Sequence, residues 1–159
     1  MTTSGVLKFY AHDHDELDNY LKQFQSFKRG DFAVAKPFFR KFKFGLQRHI
    51  LWEEEILFPI FELKTGMKDN GPTAVMRQEH ILIKEALEVL HLKVRQSDPD
   101  SDGEEKILID LLSSHNYKEE NILYPAIDQL TTTEEKQTLF QQMEKVPEDR
   151  YASCGCHRD

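Results

Sequence analysis

Two stretches of the chain repeat one another, and the repeat constrains the fold more than any other feature. His49 to Pro59 reads HILWEEEILFP and His115 to Pro125 reads HNYKEENILYP, so both follow H-x-x-x-E-E-x-I-L-[F/Y]-P. His115 stands 66 residues after His49, Glu119 stands 66 after Glu53, and His80 stands 66 after His14. In a helix, residues four apart share a face, so each copy aims a His and a Glu at one point. The chain is therefore expected to hold two helical hairpins in pseudo-twofold register. Each hairpin carries a lone His on its first helix and His-x-x-x-Glu on its second.

The apolar periodicity agrees with this division. Tyr10, His14, Leu17, Leu21 and Phe24 form an inward stripe on a first helix over Val6 to Phe27. The segment Lys28 to Asp31 breaks that helix, with Gly30 expected as a left-handed cap. A second helix is predicted from about Pro37 to Thr65, with Phe42, Leu46, His49, Glu53, Ile56 and Ile60 inward, a kink at Pro59 and an end at Gly66. A third, Thr73 to Arg95, turns Met76, His80, Ile83, Leu87, Leu90 and Val94 inward. A fourth, Asp102 to Leu130, opened by a Ser101/Glu104 capping box, does the same with Leu108, Leu112, His115, Glu119, Ile122 and Ala126. Thr132 and Glu135 predict another capping box and a short fifth helix to Lys145. The expected architecture is all-α: an up-and-down four-helix bundle of two repeated hairpins, a single domain over residues 1–147 with a short C-terminal helix, then a flexible tail over 148–159.

Six polar residues thus fall in core stripes: His14, His49, Glu53, His80, His115 and Glu119. Buried carboxylates without partners are destabilising. Metal ions reverse that balance, because they bind neutral imidazole and ionised carboxylate. Imidazole and carboxylate donors suit iron, manganese or zinc, and the absence of core thiolates argues against copper(I) or an iron–sulfur cluster. Glu53 and Glu119 are placed to bridge two ions, each ion also taking two His, and the remaining positions leave room for an oxo or hydroxo bridge and a small external ligand. Glu54, Glu120, Tyr10 and Tyr117 lie beside these positions as candidate supporting residues; Tyr10, Trp52, Tyr117 and Tyr124 could each line the site or hydrogen-bond a bound ligand, with core and boundary packing as the ordinary role. His12 and His91 fall off the stripes and are expected at the surface.

A net charge of −7 and the absence of a basic face argue against a nucleic-acid partner. No apolar run approaches the roughly 20 residues that span a bilayer, and the first residues turn charged too soon for a signal peptide, so a cytoplasmic location and no membrane partner are expected. The two cysteines, Cys154 and Cys156, lie in the tail sequence Cys154-Gly155-Cys156-His157, a short C-x-C that supplies no disulfide framework.

The motifs DHDEL at His14, HILWEEEILFP, QEH at His80 and HNYKEENILYP together resemble the hemerythrin-like, or HHE cation-binding, family, over about Val6 to Leu130. The resemblance implies a di-iron site inside the bundle. Oxygen-carrying members have a second His one turn after the third-helix His, where this chain has Lys84, and His-x4-Asp on the last helix, where it has Glu119 and Glu120. The pattern is more similar to the repair-of-iron-centres branch and to the hemerythrin domain of an F-box iron sensor. By that likeness the four His would be terminal ligands and Glu53 and Glu119 would bridge. The implied function is a non-haem di-iron protein that binds or reduces nitric oxide, oxygen or peroxide in stress defence or iron-centre repair, served by a reductant or an iron acceptor. An iron- or oxygen-sensing module without catalysis, and an iron store or donor, are the alternatives.

Overall fold

The computed structural model describes residues 5–152, and among them every regular element is helical. Helix α1 spans Val6–Phe27, α2 Phe32–Trp52, α3 Phe58–Thr65, α4 Pro72–Arg95, α5 Asp102–Lys118, α6 Tyr124–Leu130, α7 Thr133–Lys145 and α8 Asp149–Ala152. α2 runs into α3 through a π-helical turn, Glu53–Leu57, and α5 runs into α6 through another, Glu119–Leu123. Each fused pair is thus one long rod. With α1 and α4 the rods make the expected four-helix bundle of two hairpins.

The π turns fall at the repeated motif and change its geometry. The N–H of Phe58 reaches back five residues to the carbonyl of Glu53, and the N–H of Tyr124 likewise to Glu119. One extra residue per turn rotates everything downstream relative to a 3.6-residue stripe. The inward positions past the glutamates are therefore Leu57, Phe58 and Phe61, and Leu123, Tyr124 and Ile127, all buried. The expected Ile56 and Ile60 are only partly buried, and Ile122 is 57% exposed. The interruption expected at Pro59 takes the form of this π turn, with Pro59 in the first turn of α3.

Other boundaries move for local reasons. α2 begins at Phe32, five residues before Pro37, because the Asp31 side chain caps it by accepting from the Val34 N–H. Lys28 closes α1 in a right-handed conformation, so Gly30 is not a left-handed cap, whereas Gly66 is one at φ 75°. Ser101 precedes α5 but does not cap it; its hydroxyl donates to Glu105, which also takes the buried Lys28 ammonium at 2.6 Å. The Thr132/Glu135 capping box forms as expected. The start of α1 is capped across the bundle: the Asp128 carboxylate accepts from the Val6 and Leu7 N–H groups at 2.7 and 3.0 Å.

The apolar core is in two layers. One gathers Leu17, Leu21, Phe24, Phe39, Phe42, Leu46, Ile83, Leu87 and Leu108; the other gathers Val6, Leu57, Phe58, Phe61, Met76, Leu123 and Ile127, closed by Leu139 and Met143 of α7. Gly45 permits the close approach of α1, since a Cβ there would lie 2.5 Å from the buried Leu17 Cδ2. His91 is not at the surface: it is 2% exposed, stacked on Phe39, with Nδ1 2.6 Å from the Lys43 ammonium. His12 is exposed as expected. Within the stretch expected as a tail from residue 148, α8 folds Tyr151 onto Trp52, whose indole N–H donates to the Tyr151 hydroxyl at 2.7 Å. Cys154, Gly155, Cys156 and His157 lie outside the described residues. No helix among the described residues is long and apolar enough to cross a membrane.

Candidate metal centre

Between the two apolar layers lies a polar one, made of His14 from α1, His49 and Glu53 from the α2 rod, His80 from α4, and His115 and Glu119 from the α5 rod. All six are at most 4% exposed. The structure brings together every one of the residues that the repeat singles out.

The carboxylates sit between imidazole pairs. Glu53 places Oε2 3.3 Å from His49 Nε2 and Oε1 3.1 Å from His80 Nε2. Glu119 places Oε1 3.3 Å from His14 Nε2 and Oε2 3.2 Å from His115 Nε2. Each glutamate thus offers one oxygen to each half of the site. Two groups of donors result, one of His14, His49 and Glu119 and the other of Glu53, His80, His115 and Glu119.

Outer carboxylates fix the imidazole orientation. Nδ1 of His14 donates to Glu120 at 2.7 Å, His49 to Asp13 at 2.7 Å, His80 to Glu54 at 2.7 Å and His115 to Glu79 at 2.8 Å. An ionised carboxylate only accepts, so the proton lies on Nδ1 and, in the neutral ring, the Nε2 lone pair faces inward. These outer residues also obey the repeat: Glu79 follows Asp13 by 66 residues, and Glu120 follows Glu54 by 66. Glu54 and Glu120 were expected here. Asp13 and Glu79 were not, although their spacing was the available signal.

With lone pairs inward, the site is incomplete without cations. His14 Nε2 and His49 Nε2 are 3.1 Å apart. Glu53 Oε1, His80 Nε2 and Glu119 Oε2 are buried with no hydrogen-bond partner. Protons are one remedy. Burial alone would push His80 down, but Glu53 and Glu54 raise it to about 9. His49 and His115 are also raised, their carboxylate neighbours outweighing burial. Glu53 is held well below the usual carboxylate range, the imidazoles outweighing its burial. Metal ions are the other remedy, and the donor set fits them: each replaces facing lone pairs and orphaned oxygens with bonds.

The aromatic surroundings break the pseudo-symmetry. Tyr124 donates to Glu53 Oε2 at 2.5 Å and lies 2.8 Å from Glu119 Oε1, 3.2 Å from His49 Nε2 and 3.4 Å from His14 Nε2. Its counterpart in the first motif is Phe58, which stacks on His80. A 3.6-residue stripe would turn Tyr124 away from the layer; the π turn carries it to the centre. Tyr10 is buried edge-on to His49, and its hydroxyl donates to Met143 Sδ at 3.4 Å. Tyr117 is 67% exposed and lines an outer cleft with Glu120 rather than the inner layer.

Comparison with known proteins agrees with this geometry. The model of the hemerythrin HHE cation binding domain matches residues 5–127. Among curated proteins, the chain is 31% identical over 90 residues to the iron-sulfur cluster repair protein YtfE of Musicola paradisiaca (strain Ech703), and 34% identical over 89 residues to that of Escherichia coli O81 (strain ED1a). Each match covers 50% of this chain and 40% of the relative, so the chain spans well under two thirds of the length of these proteins. No solved structure matches. The chain belongs to the hemerythrin HHE cation-binding domain family.

Proposed function

We propose that this domain is a non-haem di-iron protein acting on a small ligand, nitric oxide, oxygen or peroxide, in the repair of damaged iron centres. The observation that carries the reading is the paired carboxylates, with one oxygen of Glu53 and one of Glu119 facing each half of the imidazole layer. His14 and His49 would hold one ion, His80 and His115 the other, and Glu53 and Glu119 would span both. Bound iron would supply reversible one-electron chemistry and open positions for a diatomic or peroxide ligand.

The chain's own residues do the rest. Asp13, Glu54, Glu79 and Glu120 keep the imidazoles in the binding tautomer. Tyr124 holds a proton at its hydroxyl beside the His14/His49 half, where a ligand that gains negative charge would need one. Phe58 keeps the opposite half apolar. The two apolar layers exclude bulk water from both. The relatives named as iron-sulfur cluster repair proteins support the repair assignment for this chain.

The test is reactivation of an iron–sulfur dehydratase damaged by nitric oxide. Iron-loaded protein should restore its activity, and the His14→Ala/His80→Ala protein should not. Equal reactivation by both, or by neither, would defeat the reading.

A further inference from the structure

The pseudo-twofold axis should give the site two equivalent approaches, one along the seam between α1 and α5 and one along the seam between α4 and α2. At the first, among the described residues, a surface cleft meets an inner cavity. An inner cavity with room for one water-sized molecule, about 10 Å³, has His14, His49, Glu53, His80 and His115 in its lining. A surface cleft of about 310 Å³ lies against it, and the two share His14, Asp18, Leu112 and Asn116. At the second seam, the residue equivalent to Asn116 is Ile50, 2% exposed, and the equivalent of Asp18 is Lys84. Outside the open seam Tyr117 is 67% exposed; its equivalent Leu51 is 7% exposed.

The open seam is also acidic. Asp15, Asp18 and Glu120 line the cleft, and at the end of the path stand His80 Nε2 and Glu53 Oε1, both buried, 3.1 Å apart and without a well-formed hydrogen bond. Carboxylates around a narrow mouth concentrate cations. We propose that the α1–α5 seam is the inlet through which a divalent cation reaches the site, with Asp18 and Asn116 as its gate. The inference rests on the reading that the six inner residues hold metal. Asp18 draws the hydrated ion to the mouth, and the Asn116 side chain offers an amide oxygen as water is shed. Lys84 and Ile50 refuse the same ion on the other side by charge and by bulk.

The experiment is stopped-flow uptake of cobalt(II) by the full-length chain after chelation, followed by the visible absorption of the bound ion. The Asp18→Lys/Asn116→Ile protein, which installs the closed seam's residues in the open one, should load at least tenfold more slowly to the same final stoichiometry. The Lys84→Asp/Ile50→Asn protein should load faster than the native chain. A native loading rate in Asp18→Lys/Asn116→Ile overturns the inlet while leaving the metal site standing. No cobalt uptake by the native chain overturns both. Should the double variant fail to fold, Asn116→Cys in a Cys154→Ser/Cys156→Ser background, alkylated with a bulky maleimide after folding, replaces it: slowed loading supports the inlet, and an unchanged rate overturns it.

Discussion

The Asp13 carboxylate accepts the Nδ1–H of His49 at 2.7 Å, one residue before His14 takes its own place in the inner layer. Glu79 does the same for His115 at 2.8 Å, one residue before His80. A pair of adjacent residues on α1, and another on α4, therefore supplies an inner imidazole and the support of a different one. Replacing Asp13 with Asn, or Glu79 with Gln, removes the charge that holds the tautomer while keeping the shape. Each change should weaken metal affinity by about 10- to 100-fold with little change in fold, read by competition against a chelator of known affinity. Unchanged affinity in both variants would mean that these contacts do not orient the rings.

Tyr124 should matter before any metal is bound. Its hydroxyl is the shared neighbour of Glu53 and Glu119, and removing it leaves two buried carboxylates with fewer donors. Tyr124→Phe should destabilise the chelated protein by about 1–3 kcal/mol in denaturant unfolding. Phe58→Tyr, at the equivalent position beside His80, adds a hydroxyl where the structure has an apolar wall and should not rescue the loss in a double variant. A Tyr124→Phe protein as stable as the native chain would show that the hydrogen bonds contribute nothing net.

The metal-free chain should also lose stability as the medium becomes alkaline. His80 rises from 6.5 to about 9 on folding. A raised imidazole stabilises the folded state fully below its unfolded pKa, and that contribution disappears as pH rises through the folded value. His49 and His115 are raised too and act in the same direction. Glu54 and Glu79 are lowered, the nearby imidazoles and lysines outweighing burial, so their contribution is present above the ordinary carboxylate range and lost in acid. The Tm of chelated protein should therefore fall between pH 6.5 and about 9. Metal-loaded protein should show a flatter profile there, because its imidazoles are already deprotonated. A chelated protein whose Tm is level across that window would contradict the protonated imidazole layer.

Much of this architecture could be read from the residues, and the exceptions share a physical cause. The 66-residue repeat located four helices and the six residues of the buried polar layer, because a polar residue in an apolar stripe has few explanations. It failed just past Glu53 and Glu119, where a π turn spends an extra residue that a 3.6-residue stripe does not count. Ile122 consequently moved outward and Tyr124 inward. His91 was misplaced because its buried partner, Lys43, lies on another helix and has no sequence signature. Asp13 and Glu79 were legible in principle, since they repeat at the same spacing as the histidines they precede.

The central claim is that six residues hold two irons in a single layer. Iron analysis of anaerobically reconstituted protein, with its visible spectrum before and after reduction, tests it most directly. The account predicts two irons per chain, an absorption that bleaches on reduction, and loss of both irons in the Glu53→Ala/Glu119→Ala protein. One iron or none in the native chain, or two retained without the glutamates, would contradict it.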